Sequence, residues 1–209
     1  METLKQQLVD TGKKLYDKGL SPGFSGNLSI RYGKYFLVTP SGCPLGDFQK
    51  EDVVLIDKDF KVIDGKRKPS SESKMHIEIY AIRPDIEAII HCHAPKASAF
   101  AVANVPLSQP VLAESIFHLG PIPIAKYHLP STIEIAKETA KYFDTHDVVL
   151  MQNHGVVLGA KSLYDAYYKM ETVEYTAEVI LNAKILGGGK ELDPDQIQDI
   201  INLKLKLHM

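Results

Sequence analysis

Residues 88–93 read Ala-Ile-Ile-His-Cys-His, and this run limits the fold more than any other stretch of the chain. Successive side chains of a strand point to opposite faces. Three apolar residues followed by His-x-His therefore describe a buried strand whose end turns two imidazoles, His91 and His93, to one side. Cys92 faces the other way and reads as a core residue rather than a ligand.

The remaining periodicity supplies strands and helices around this run. Leu4, Leu8, Leu15 and Tyr16 recur at helical spacing, with Gly19 as the stop. Short β-type runs at Leu28–Arg31, Tyr35–Thr39, Val53–Asp57 and Lys61–Ile63, separated by turn formers, predict a meander of neighbouring antiparallel strands. A helix from Ser71 to Ile82 precedes the His-x-His strand, and a helix from Pro95 to Ala103 follows it. A strand at Ile122–Lys126, a helix at Ser131–Phe143 capped by Ser131 or Thr132, and strands at Val148–Gln152 and Val156–Gly159 come next. A long amphipathic helix ends at Gly187-Gly188-Gly189, and a last helix runs from Pro194 to about Lys206. No linker or repeat interrupts the pattern. The expectation is one domain over residues 1–209, an α/β sandwich with a central, mainly antiparallel or mixed sheet covered by helices.

A His-x-His pair at a strand end offers two nitrogens to one metal, and a catalytic zinc typically takes three protein ligands and keeps one position open. His154 is the best third ligand, because Asn153-His154-Gly155 forms a turn between two apolar strands and can reach the sheet edge. His118, His128 and His146 have no partner at metal spacing and read as surface or packing residues. His76 reads as a packing or supporting residue.

The segment Lys68-Pro69-Ser70-Ser71-Glu72 enters a helix, where unpaired N–H groups and a partial positive charge favour an anion such as phosphate. Ser70 and Ser71 add hydroxyl donors. The turns at Gly26-Asn27 and Ser41-Gly42 can aim further backbone N–H groups at the same anion. Glu72 then has two readings beyond helix-dipole compensation, as a fourth ligand or as a general base beside the metal.

Composition excludes several functions. The formal net charge is −2, with basic and acidic residues interspersed, so no basic stripe for nucleic acid exists. No apolar run approaches the ~18 residues of a membrane span, and the amino terminus lacks the apolar core of a signal peptide. With Cys43 and Cys92 the only cysteines, no disulfide framework is expected, and a cytoplasmic location fits.

With these motifs in order, the chain resembles the class II aldolase and adducin family. The match consists of Ser25-Gly26-Asn27, Thr39-Pro40-Ser41-Gly42, Pro69-Ser70-Ser71-Glu72, His91-x-His93 and Asn153-His154-Gly155, and it runs over nearly the whole chain. The resemblance implies one Zn²⁺ per chain on His91, His93 and His154. It also implies a phosphate held by Gly26, Asn27, Ser41, Gly42, Ser70 and Ser71, and a homotetramer with active sites at subunit boundaries. Glu at position 72 matches the aldolases of the family, whereas the sugar-phosphate epimerases carry Asp-Thr there. The dehydratases of the family add a Gln-Glu segment that is missing between His93 and His154. Adducin-like binding proteins would lack the histidines.

The expected activity is cleavage of a ketose 1-phosphate of the L-fuculose 1-phosphate type to dihydroxyacetone phosphate and a small aldehyde, with 5-deoxyribulose and methylthioribulose 1-phosphates as alternatives. Glu72 is the expected acid/base at the enediolate carbon. Two positions depart from the pattern. Phe24 stands where an aldolase of the family has Thr, and Glu114 stands where that aldolase supplies a Tyr from the neighbouring subunit. Glu114 is thus the aldehyde-side candidate, with the C-terminal His208 a lesser one.

Overall fold

The computed structural model describes residues 1–208. Alternating apolar residues build eight strands: β1 Asn27–Tyr32, β2 Tyr35–Val38, β3 Val54–Ile56, β4 Val62–Asp64, β5 Ala88–Cys92, β6 Ile124–Ala125, β7 Val148–Met151 and β8 Gly155–Ala160. They form one sheet in the order β4-β3-β2-β1-β5-β8-β7-β6. The expected meander is its first half. Pairing is antiparallel throughout except between β6 and β7, so the sheet is mixed.

Seven helices complete the fold: α1 Glu2–Asp17, α2 Ser73–Ile82, α3 Pro95–Ala103, α4 Ala113–His118, α5 Ile133–Lys141, α6 Leu163–Ile185 and α7 Pro194–His208. The period of two along the strands divides the core into two layers. Leu28, Ile30, Ile90, Cys92, Val156 and Leu158 point toward the face covered by α1, α3 and α6, where Leu8, Leu15, Phe100, Met170 and Val173 are buried. Val38, Ile56, Ile89, Val149, Met151 and Val157 point to the other face, against Met75 and Ile79 of α2 and Ala136 and Ala140 of α5. The helix-covered α/β sandwich expected from the sequence is the observed architecture.

Three local differences stand out. α2 begins at Ser73, with Glu72 at the N-cap, two residues later than the sequence pattern places it. β6 is two residues long because Ile122 leaves it to bridge Leu107. The short helix α4 has no periodicity to announce it, and it forms between Pro110 and Gly120 against α6 and α7.

Register positions the site. Asn27 of β1 lies opposite His91 of β5, and His91 lies opposite Val157 of β8. The β7–β8 turn carrying His154 therefore closes beside the end of β5. Asn153 takes the left-handed conformation this tight turn requires, φ 55°. Gly155 lets the turn close, since a Cβ there would lie 2.6 Å from the Cys92 carbonyl and 2.8 Å from the His93 ring.

Candidate active site

The three histidines singled out in the sequence meet at this sheet edge. Their ligand atoms lie within 4.8 Å of one another, and their rings stand nearly perpendicular, with centroids 4.8–5.1 Å apart. His91 is completely buried, and its Nδ1 lies 3.0 Å from the Val156 carbonyl. A carbonyl can only accept, so Nδ1 is the donor and Nε2 presents its lone pair to the cluster. That Nε2 lies 3.2 Å from Nε2 of His93.

Glu72 closes the cluster from α2. Its Oε2 is 3.3 Å from His91 Nε2, and its Oε1 is 3.3 Å from His154 Nε2. The Asn27 amide donates to Oε2 at 2.9 Å. Burial works to raise the Glu72 pKa. In the acid range where Glu72 would otherwise take up a proton, positive charge on His91, a hydrogen bond from it, charge on His154 and the Asn27 amide together outweigh burial and hold the carboxyl well below the usual carboxylate range. Burial, with repulsion from its neighbours, pushes His93 down to about 3 and His154 down to about 4. Both imidazoles are neutral at pH 7, the form in which histidine binds a metal.

Behind Glu72, one turn along α2, His76 is buried. Its Nδ1 is 2.7 Å from Ser29 Oγ, which in turn lies 2.9 Å from the Tyr80 hydroxyl. Burial first, then repulsion from His91, pushes His76 down to about 3. It packs as an uncharged support under the site, and no ligand role falls to it.

The donor set fits a divalent cation. Imidazole nitrogens and one carboxylate converge on a common space, an arrangement that repels itself until a cation or a proton enters.

In front of the cluster is a cavity of about 230 Å³. Gly26, Asn27, Ser41, Gly42, Ser70 and Ser71, the six residues expected to hold phosphate, all line it, together with Glu72, His93 and His154. Two loops are zipped to make this wall, Ser41 N–H donating to the Lys68 carbonyl at 2.8 Å and Ser70 N–H to the Thr39 carbonyl at 3.1 Å. Gly26 has φ 81°, and a Cβ there would meet the Ser21 hydroxyl and the His91 carbonyl. Only glycine fits that position. Among the described residues lining the cavity there is no Lys or Arg, so an anion in it meets neutral donors.

Phe24, Cys43 and Ser131 also line the cavity. Of the two caps the sequence offers for α5, Ser131 and Thr132, Thr132 is the one that serves. Nothing in the local pattern marks Ser131, because it is carried to the site by α5 packing on α2. Glu114 is exposed in the first turn of α4 and does not line the cavity of its own chain. The side chain of His208 lies outside the described residues. A larger cavity, about 390 Å³, opens at the opposite end of β5 and β8 around Arg83, Asp147 and Lys169. Arg83 is paired there with Asp85 and Asp147 and Lys169 with Asp165, and none of the candidate metal or phosphate residues lines this cavity.

The model of the class II aldolase and adducin N-terminal domain matches residues 6–181. The chain is 33% identical over 199 residues to the 5-deoxy-D-ribulose 1-phosphate aldolase of Bacillus thuringiensis serovar kurstaki, covering 94% of this chain and 92% of that protein. It is 37% identical over 177 residues to the L-fuculose phosphate aldolase of Methanocaldococcus jannaschii, covering 85% of this chain and 95% of the relative. A solved L-fuculose 1-phosphate aldolase superimposes with a TM-score of 0.90 at 34% identity, over 98% of this chain and 96% of that one.

Proposed function

This chain belongs to the class II aldolase and adducin family and is an aldolase, and from that premise we propose that it reversibly cleaves a ketose 1-phosphate to dihydroxyacetone phosphate and a small aldehyde. The observation that carries the proposal is the cavity itself, with the Glu72 carboxylate and two imidazoles of the three-histidine cluster on one wall and neutral anion donors on the other. Such a space accepts a molecule with a phosphate at one end and oxygen-bearing reacting carbons beside it.

His91, His93 and His154 would hold the metal, which we assign as Zn²⁺. When bound, the ion supplies a Lewis acid that polarises the substrate's C2 carbonyl, so no Schiff-base lysine is needed. The protein's own groups do the rest. Ser41, Ser70, Ser71, Asn27 and the backbone at Gly26 and Gly42 hold the phosphate and set the position of C2 and C3.

In the condensation direction the Glu72 carboxylate takes a proton from C3 of dihydroxyacetone phosphate. The electron pair left on that carbon then attacks the aldehyde, whose oxygen takes up a proton to become the C4 hydroxyl. Cleavage is the reverse: a base removes the C4 hydroxyl proton, the C3–C4 pair passes to the enediolate, and Glu72 returns its proton to C3. Asn27, donating to Glu72, orients the carboxylate for this transfer. The aldehyde-side group is Glu114 of a neighbouring subunit in our reading, which makes the working molecule a homotetramer.

Among the described residues no helix is long and apolar enough to cross a membrane, and Cys43 and Cys92 are free thiols, which supports a cytoplasmic setting. The relatives named for L-fuculose phosphate and for 5-deoxy-D-ribulose 1-phosphate bracket the substrate. They differ at the aldehyde end of the sugar. Dihydroxyacetone phosphate release from L-fuculose, 5-deoxyribulose and methylthioribulose 1-phosphates, measured side by side, ranks the three. Release from none of them, with an isomer or a dehydrated product instead, would replace the aldolase reading with an epimerase or dehydratase one.

A further inference from the structure

Ser131 is the residue of this cavity whose backbone is out of place. Its φ is 68°, the left-handed region that favours glycine. The segment Leu129-Pro130-Ser131-Thr132 is a four-residue turn, with Thr132 N–H donating to the Leu129 carbonyl at 3.4 Å and the Thr132 hydroxyl reinforcing it at 2.7 Å. Proline at the second position and positive φ at the third is the type II pattern, in which the third residue is ordinarily glycine. A serine there carries a conformational cost that glycine would not, and such costs persist at positions where the side chain has work to do.

The side chain has one contact that explains it. Ser131 Oγ lies 2.7 Å from Ser71 Oγ, across 60 residues of sequence. Both hydroxyls line the cavity in front of Glu72. Two hydroxyl oxygens at this distance share one proton, so one donates to the other and the acceptor's own O–H is free. A phosphate oxygen in the cavity accepts only. Seated against the Ser70-Ser71 entry of α2, as proposed above, it favours the state in which Ser131 donates to Ser71 and Ser71 donates onward to the anion. Accepting a hydrogen bond polarises the Ser71 hydroxyl and strengthens the bond it makes.

We propose that Ser131 is a positioning residue for phosphate recognition, holding the Ser71 hydroxyl with its proton directed at the anion, at the cost of backbone strain in the turn before α5. The inference rests on the proposed phosphate site. It assigns to the α5 side of the cavity a share in recognition that the loop residues would otherwise carry alone.

The test titrates inorganic phosphate into the full-length purified protein by calorimetry and measures KM and kcat for the ketose 1-phosphate. The variants are Ser131→Gly, Ser131→Ala, Ser71→Ala and the double variant Ser71→Ala/Ser131→Gly. Ser131→Gly removes the hydroxyl and relieves the strain, so its melting temperature should rise while its phosphate affinity falls about 3- to 10-fold, the worth of one hydrogen bond. A purely structural role would move stability and affinity in the same direction. KM should rise by the same factor with kcat nearly unchanged, and Ser131→Ala should lose the same affinity without the gain in stability. On the Ser71→Ala background, Ser131→Gly should have no further effect on affinity. If Ser71→Ala weakens phosphate binding and Ser131→Gly does not, the inference fails and the phosphate site stands. If Ser71→Ala leaves phosphate binding unchanged, the site itself is misassigned and the inference falls with it.

Discussion

Glu72 shows how one side chain can be tuned by position alone. It stands at the N-cap of α2, its two oxygens divided between His91 and His154, and it accepts a hydrogen bond from Asn27. Each of these neighbours favours the ionised carboxylate, and together they overcome the burial that would neutralise it. The ground state is thus a carboxylate, the form that the proposed removal of a proton from C3 requires. Glu72→Gln keeps the volume and an oxygen for the Asn27 amide but cannot take up a proton. Turnover should fall by about 10²- to 10⁴-fold, the usual worth of a positioned acid/base, while metal content by elemental analysis stays at the wild-type level. Exchange of the C3 proton of dihydroxyacetone phosphate with solvent, followed by NMR without any aldehyde, isolates the step. Wild-type protein should exchange it and Glu72→Gln should not. Exchange at the wild-type rate in Glu72→Gln would move the base elsewhere.

At the scale of elements, the strand carrying His91 and the helix that follows it are fixed by a group far away in sequence. α3 starts directly after His93 and has no capping side chain of its own, Ala94 standing at its N-cap. Its first N–H groups are satisfied from α6, where the buried Glu174 accepts from Lys96 N–H at 2.9 Å and from Ala97 N–H at 3.0 Å. A carboxylate at a helix N-terminus also meets the positive end of the helix dipole. Glu174→Gln leaves one acceptor and turns an NH₂ toward those donors. Stability should drop by about 1–3 kcal/mol, the cost of a buried charged hydrogen bond left incomplete, read from the urea midpoint at unchanged m-value. A midpoint equal to wild type would show that water caps α3 equally well.

Elements also mark the boundary of what sequence reveals. The His91-x-His93 strand and the His154 turn are legible because a period of two and a turn signature are local properties. The six residues proposed to hold phosphate are legible as turn and helix-entry chemistry. Glu174 as a cap, Ser131 as a partner of Ser71 and the six-residue α4 are not, because the first two join positions 78 and 60 apart in the chain and α4 forms only against α6 and α7.

On the scale of the whole molecule, the cavity holds the base we propose for C3 but no group of the same chain that the sequence marks for the C4 oxygen. Glu114 is exposed on α4, away from the cavity. The surface near the chain's last helices is rich in exposed apolar side chains, Ile185 and Leu186 at the end of α6 and Leu203, Leu205 and Leu207 on α7, the kind of surface that subunit contacts bury. In a ring of identical subunits each site would combine Glu72 of one chain with Glu114 of the next, and that arrangement has a genetic signature. Glu72→Gln and Glu114→Gln chains should each assemble into tetramers, seen by light scattering, with little cleavage activity. Co-expressed in equal amounts with different tags and purified as hybrids, they should regain activity. A site is then intact wherever a Glu114→Gln chain, with its own Glu72, meets a Glu72→Gln neighbour that donates Glu114. Random assembly places such a pair at about one site in four, so hybrids should reach about a quarter of wild-type turnover. If Glu114 served its own chain, no hybrid site would hold both carboxylates and activity would stay at the level of the single variants. Tetrameric hybrids without recovery would remove Glu114 from the neighbouring site and leave the C4 oxygen to another group.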